Sequence, residues 1–136
     1  MKTRIAINGF GRIGRNLFRL LLNHPSLEVV AINDIADTKT MAHLLKYDSI
    51  HGVLPFQVSY EVRGMIVDGK HFLFFHEKNI SNLDWKSANI DCVIESTGKY
   101  STFEEINAHI LAGAKKVIMS APSEVDSIKT VVLGVN

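Results

Sequence analysis

Ile5-Ala6-Ile7-Asn8-Gly9-Phe10-Gly11-Arg12-Ile13-Gly14 sets a short β-branched run directly before a Gly-x-Gly-x-x-Gly spacing. With nine glycines in 136 residues, the spacing alone is weak. Its flanks give it weight. The apolar run ends at Asn8-Gly9, and Ile13, Leu17, Leu20 and Leu21 then recur at helical spacing between Gly11 and His24, ahead of Pro25. Leu27-Glu28-Val29-Val30-Ala31-Ile32 follows as a second strand, nearly all apolar and so predicted to be buried on both faces of a parallel sheet. Strand, glycine turn, helix and strand make a βαβ unit of about 30 residues.

Each residue type in that corner has a physical purpose. One glycine permits the tight turn, one lets a pyrophosphate approach bare backbone, and one lets helix and strand pack closely. The helix start offers free N–H groups and partial positive charge to an anion. Asp34, 20 residues after Gly14 and directly past the second strand, supplies the acidic partner for the adenosine ribose hydroxyls. A carboxylate there repels a 2′-phosphate, which favours NAD over NADP. The competing view, turn glycines and a surface aspartate, requires four conditions of spacing and context to coincide by chance.

The remaining segments extend this unit. Asp37 is placed to cap a second helix bearing Met41, Leu44 and Leu45, and residues 47–52 read as a loop. Phe56, Val58, Tyr60 and Val62 alternate with polar residues, the pattern of a half-buried antiparallel strand. Met65-Ile66-Val67 and His71-Phe72-Leu73-Phe74-Phe75 flank Asp68-Gly69, a pair suited to a type I′ hairpin. Parallel character returns at Asp91-Cys92-Val93-Ile94-Glu95. Ser101-Thr102-Phe103-Glu104 reads as a capping box for a helix carrying Phe103, Ile106 and Ile110 and stopping at Gly113. Residues 116–119 and 130–135 are two further predicted strands. The expected fold is α/β, a Rossmann-type doubly wound, mostly parallel sheet with a small antiparallel insert at about residues 56–76, all within one domain over 1–136.

In such a sheet ligands lie beyond the carboxyl ends of the strands, so Ser96, Thr97, Gly98 and Ser120 join the candidates. Composition narrows the classes. Lys and Arg number 15 against 14 Asp and Glu, a net charge of +1, without the basic stripe a nucleic-acid binder needs. No apolar run approaches the ~20 residues that cross a bilayer, and the apolar stretch after the first residues is too short for a signal peptide. The single cysteine, Cys92, forms no internal disulfide and suits a reducing, cytoplasmic setting. It lies inside an apolar strand and reads as inert packing. The six histidines show no metal-ligand spacing, so loop and surface positions are expected for them and no metal site is assigned.

These residues carry a close resemblance. Asn8-Gly9-Phe10-Gly11-Arg12-Ile13-Gly14-Arg15, Ile32-Asn33-Asp34, Leu44-Leu45-Lys46-Tyr47-Asp48-Ser49, Glu95-Ser96-Thr97-Gly98 and Ser120-Ala121-Pro122-Ser123 resemble, in order and approximate spacing, the N-terminal NAD-binding half of phosphorylating glyceraldehyde-3-phosphate dehydrogenases. The likeness covers essentially the whole chain. It implies NAD as cofactor, with Gly9, Phe10, Gly11, Arg12, Ile13 and Gly14 around the pyrophosphate. Arg12 and Ile13 would offer backbone N–H groups there. Asn33 and Asp34 would lie at the adenosine ribose, Lys78 near the adenine where the family often has arginine, and Ser96, Thr97, Gly98 and Ser120 on the nicotinamide side. Arg15 and Asn8 are expected to hold the turn.

The family's nucleophilic Ser-Cys-Thr-Thr-Asn segment, histidine base and phosphate pockets belong to a second, catalytic domain absent from these 136 residues. No catalytic residue is therefore assigned. The chain is expected to bind NAD without oxidising an aldehyde phosphate, a substrate handled, with inorganic phosphate, only by the intact enzyme. The parent family is a homotetramer, and a lone cofactor domain is expected to self-associate through exposed apolar surface. A free-standing NAD-binding module and the cofactor half of an erythrose-4-phosphate dehydrogenase are the alternatives.

Overall fold

The structure is a computed structural model that describes residues 1–100 and 102–120. Its strands are β1 (Thr3–Asn8), β2 (Leu27–Asn33), β3 (Tyr47–Asp48), β4 (Gly52–Val53), β5 (Val58–Glu61), β6 (Gly64–Val67), β7 (Lys70–Phe75), β8 (Cys92–Glu95) and β9 (Lys116–Met119). The helices are α1 (Arg12–Leu21), α2 (Thr38–Lys46) and α3 (Phe103–Leu111), with a 3-10 turn at Ile80–Asn82. The strand predicted over 130–135 lies outside the described residues.

Seven strands form one sheet in the order β5-β6-β7-β2-β1-β8-β9. Among the described residues of this sheet, pairings β1–β2, β1–β8, β2–β7 and β8–β9 are parallel, and β5–β6 and β6–β7 are antiparallel. The predicted insert is thus an edge of the main sheet, joined to it through β7 against β2. Asp68 and Gly69 both take positive φ, 53° and 75°, as a type I′ turn requires. After β2 the chain crosses to the outer edge at β5 and works inward through β6 and β7, then passes to the other side of β1 to lay β8 and β9. That reversal between β1 and β8 opens a crevice at their carboxyl ends.

Alternation along the central strands sorts side chains onto two faces. Ile7 and Ile32 enter one core with Phe10, Phe18, Phe72, Phe74, Met41 and Leu45, whereas Ala6, Ala31 and Val93 enter a second with Trp85, Ile80, Leu83 and Ile90. In the first, Phe10 meets Phe18 and Phe74 edge-on at centroid distances of 5.7 and 6.0 Å. In the second, the small side chains of Ala6 and Ala31 leave room for a wholly buried indole.

Several local expectations change. Residues 47–52 are a turn closed by the β3–β4 ladder, in which Asp48 accepts from the N–H groups of Ile50 and His51 at 2.7 Å each. Strand β5 is an edge: Phe56 and Val58 pack against the first core, whereas Tyr60 and the adjoining Val62, farther along the same alternating set, are exposed. On α1 the buried positions are Gly14 and Phe18, with Ile13 and Leu20 facing out. The cap of α3 is one residue later than read. Thr102 accepts from Glu105 N–H, and Glu105 reaches back to Thr102, since Thr102-Phe103-Glu104-Glu105 satisfies the capping rule as well as the preceding frame. Phe103 and Ile110 are exposed on that helix while Ile106 and His109 face inward.

Candidate functional site

A cleft of about 320 Å³ opens at the β1–β8 reversal, lined by the glycine corner, Asn33, Asp34, Lys78, Ser96, Thr97 and Tyr100. The three glycines differ in what surrounds them. A Cβ on Gly9, where φ is +96°, would stand 2.8 Å from Thr97 N, and one on Gly14 would fall 2.2 Å from the Gly9 carbonyl oxygen. Nothing lies within 4 Å of the same position on Gly11. Packing therefore requires Gly9 and Gly14, and leaves the space beside Gly11 open.

Gly11 is also the N-cap of α1, with no side chain capping the helix. The helix positive end is left to the cleft. Arg15 turns back to donate to the Phe10 carbonyl at 2.9 Å, holding the corner closed. The carboxylate opposite is held just as firmly. Asp34 Oδ2 accepts from Phe10 N–H at 2.7 Å, and Oδ1 from Ala36 N–H at 2.9 Å.

The floor of the cleft is a buried polar network. Asn33 Nδ2 donates to Asn8 Oδ1 at 2.8 Å and to the Glu77 carbonyl at 2.9 Å, while Glu77 N–H donates to Asn33 Oδ1 at 2.8 Å. Asn8 Nδ2 donates to Glu95 Oε1 at 2.6 Å. His109 and Glu95 lie 2.9 Å apart, and the Trp85 indole N–H donates to His109 Nδ1 at 3.0 Å. An indole can only donate, so Nδ1 carries no proton and the neutral ring holds it on Nε2, facing Glu95. Thr97 gives Glu95 Oε2 both its N–H, at 3.0 Å, and its hydroxyl, at 2.6 Å. Burial pushes the Glu95 carboxyl up, but the hydrogen bonds from His109, Thr97 and Asn8 outweigh it and leave the group below its ordinary value.

The candidates named from the sequence fall into distinct places. Gly9, Gly11, Asn33, Asp34, Lys78, Ser96 and Thr97 line the cleft. Gly98 follows them with φ +72° on the exposed turn. Arg12 and Ile13 are exposed at the start of α1, outside the cleft lining. The Phe10 side chain is wholly buried and its N–H is taken by Asp34, so Phe10 holds the corner instead of facing a ligand. Ser120 is exposed, its N–H bonded to the Glu95 carbonyl, and it is not part of the cleft wall. Ile35, Glu77, Ile80, Lys99 and Tyr100 also line the cleft without having been singled out.

His109 corrects the expectation of surface histidines, being fully buried in the network above. Its signal was available: it lies three residues past Ile106 on the inward face of α3, and Glu95 shares the face of Val93 at the period of a strand. Cys92 is buried, and burial pushes its thiol above the ordinary value.

A bare, uncapped helix start beside a tethered carboxylate, at the switch point of a parallel sheet, defines a dinucleotide-binding domain. The cradle at Gly11 fits a pyrophosphate, and Asp34 fits a ribose diol. The particular family follows from comparison. Residues 3–103 match the model described as "Glyceraldehyde 3-phosphate dehydrogenase, NAD binding domain", and the chain belongs to that family.

Among its relatives, the glyceraldehyde-3-phosphate dehydrogenase of Geobacillus stearothermophilus is 49% identical over 136 residues, 100% of this chain and 40% of that protein. The enzyme of Thermotoga maritima is 53% identical over 135 residues, with 98% of this chain and 40% of the relative covered. The enzyme of Mycoplasma pneumoniae is 50% identical over 133 residues with the same coverage. The chain spans about 40% of the length of these curated relatives.

Proposed function

We propose that this chain is the cofactor-holding part of an enzyme that oxidises an aldehyde phosphate, with phosphate as co-substrate, and passes the hydride to NAD. The observation that carries the proposal is the pairing of the open Gly11 cradle with Asp34, whose carboxylate is anchored by the same corner. The names of the relatives favour glyceraldehyde 3-phosphate over erythrose 4-phosphate as the aldehyde.

In this proposal the α1 start, through the N–H groups of Arg12 and Ile13, faces the pyrophosphate. Asp34 accepts from the adenosine ribose, Lys78 borders the adenine, and Thr97 with Ser96 lies toward the nicotinamide riboside. Ser120, at the end of β9, belongs to the same side. When bound, the nicotinamide ring supplies a hydride acceptor. Residues 1–136 form the cofactor domain, and the thiolate that attacks the aldehyde comes from a separate catalytic domain. The buried Cys92 cannot substitute for it.

Two further parts of the proposal rest on surface and chemistry. Leu111 and Ile118, 82% and 57% exposed, offer apolar surface for self-association, as expected of a cofactor domain in an oligomeric enzyme. A lone, unpaired cysteine suits a reducing cytoplasm.

Amide chemical-shift mapping tests the proposal. NAD is expected to perturb Gly9, Gly11, Asp34 and Thr97 in fast or intermediate exchange. Mixing the chain with glyceraldehyde 3-phosphate, phosphate and NAD is expected to yield no NADH. Shifts confined to other surfaces would overturn the binding site, and NADH formation scaling with purified chain would overturn the division of labour. Sedimentation that stays strictly monomeric at high concentration would remove the self-association.

A further inference from the structure

We propose that Glu95 fixes the hydrogen-bonding polarity of Thr97, so that this hydroxyl meets the cleft only as an acceptor and selects a ligand bringing an O–H or N–H donor to it. In a dinucleotide, such donors are the sugar hydroxyls and amide of the second nucleoside. The proposal rests on the placement of a dinucleotide in this cleft.

The geometry leaves the hydroxyl proton a single destination. Four donors converge on Glu95: Asn8 Nδ2–H at 2.6 Å and His109 Nε2–H at 2.9 Å on Oε1, Thr97 N–H at 3.0 Å and Thr97 Oγ1–H at 2.6 Å on Oε2. An ionised carboxylate accepts at about four positions and donates at none, so all four are filled. The 2.6 Å contact has the length of a charge-assisted O–H···O⁻ bond, the strongest available to the hydroxyl. Lys99 N–H then donates to Thr97 Oγ1 at 3.1 Å. One lone pair of Oγ1 remains, on a residue that lines the cleft.

Glu95 is accordingly a positioning residue, and His109 keeps it so. Trp85 fixes the Nε2–H tautomer, which keeps Oε1 occupied and leaves Oε2 to Thr97. Residues that do not themselves line the cleft thus set a hydrogen-bond sign inside it. The neighbouring Ser96 behaves alike: its Oγ shares its one proton between the carbonyls of Gly9, at 2.7 Å, and Asn8, at 3.1 Å.

Calorimetric titration of wild type, Thr97→Val and Thr97→Ser with NAD and with ADP tests the idea, since ADP carries no second nucleoside. Thr97→Val is expected to weaken NAD about tenfold, the scale of one lost hydrogen bond, with ADP changed less than twofold and Thr97→Ser close to wild type for both. Unchanged NAD affinity in Thr97→Val while ADP binds normally would overturn the inference and leave the cofactor site standing. Equal weakening of NAD and ADP would reduce Thr97 to a structural role and also overturn it. Failure of wild type to bind either ligand would remove both.

Should Thr97→Val not fold, nitrogen NMR of His109 in wild type decides. A proton on Nε2, together with a slowly exchanging Thr97 hydroxyl proton, supports the arrangement. A proton on Nδ1 contradicts it.

Discussion

The Phe10 N–H donates to Asp34 Oδ2 at 2.7 Å, so the glycine corner and the carboxylate one strand away are a single hydrogen-bonded unit. The turn orients the carboxylate, and the carboxylate in turn braces the turn. Asp34→Ala is therefore expected to do two things together. Amide exchange at Phe10 and Ala36 should quicken by an order of magnitude or so, and stability should fall by about 1–2 kcal/mol, the cost of bonds to a charged acceptor. Exchange unchanged at both amides would show that Asp34 does not brace the corner.

The glycines separate packing from binding. Gly14→Ala drives a Cβ to 2.2 Å from the Gly9 carbonyl oxygen, and is expected to destabilise the fold by about 1–3 kcal/mol or more in denaturant titration. Gly11→Ala meets nothing within 4 Å and its φ of −75° suits alanine, so stability should move by under ~1 kcal/mol while NAD affinity drops. A Gly11→Ala protein that binds NAD normally would mean the open space is not the phosphate cradle.

Acid stability should report Glu95. Its carboxyl is held below the ordinary 4.5 in the fold, so its contribution is fully present above the unfolded value and is lost as pH falls through the folded one. Asp48, held at about 2 by the N–H groups of His51 and Ile50, titrates in the same acid range. The difference between wild type and Glu95→Gln isolates Glu95. Gln presents N–H groups toward donors, so the variant should lose at least about 2 kcal/mol at neutral pH and show a flatter acid limb. Parallel pH curves for the two proteins would contradict this.

Cys92 should be silent. Burial raises its thiol, and the side chain lies in β8, so thiol reagents should label it only after unfolding. Rapid labelling of native protein at neutral pH would contradict the buried placement.

Much of the architecture was legible because it depends on period and punctuation. The β-branched run before Gly9, the apolar second strand and the Asp68-Gly69 pair each specify local geometry through sterics that hold in any context. The glycine corner and Asp34 were legible for the same reason. What escaped depends on partners distant in sequence. Asn8, Glu95 and His109 become one network only when β1, β8 and α3 come together, with Asn8 and Glu95 separated by 87 residues. A lone glutamate ending a strand looks like a surface residue until three elements close around it. The exposure of Tyr60 and Val62 escaped from the opposite direction, since alternation predicts a buried face but not what, if anything, covers it.

Calorimetric titration with NAD and NADP on wild type and Asp34→Ala tests the cofactor site most directly. Wild type should bind NAD at one site per chain and NADP at least tenfold more weakly, with the gap narrowing in Asp34→Ala as NAD loses its carboxylate partner and the 2′-phosphate loses its repulsion. Equal affinity for the two dinucleotides in wild type, or NAD binding untouched by the substitution, would contradict the assignment of this corner as the nucleotide site.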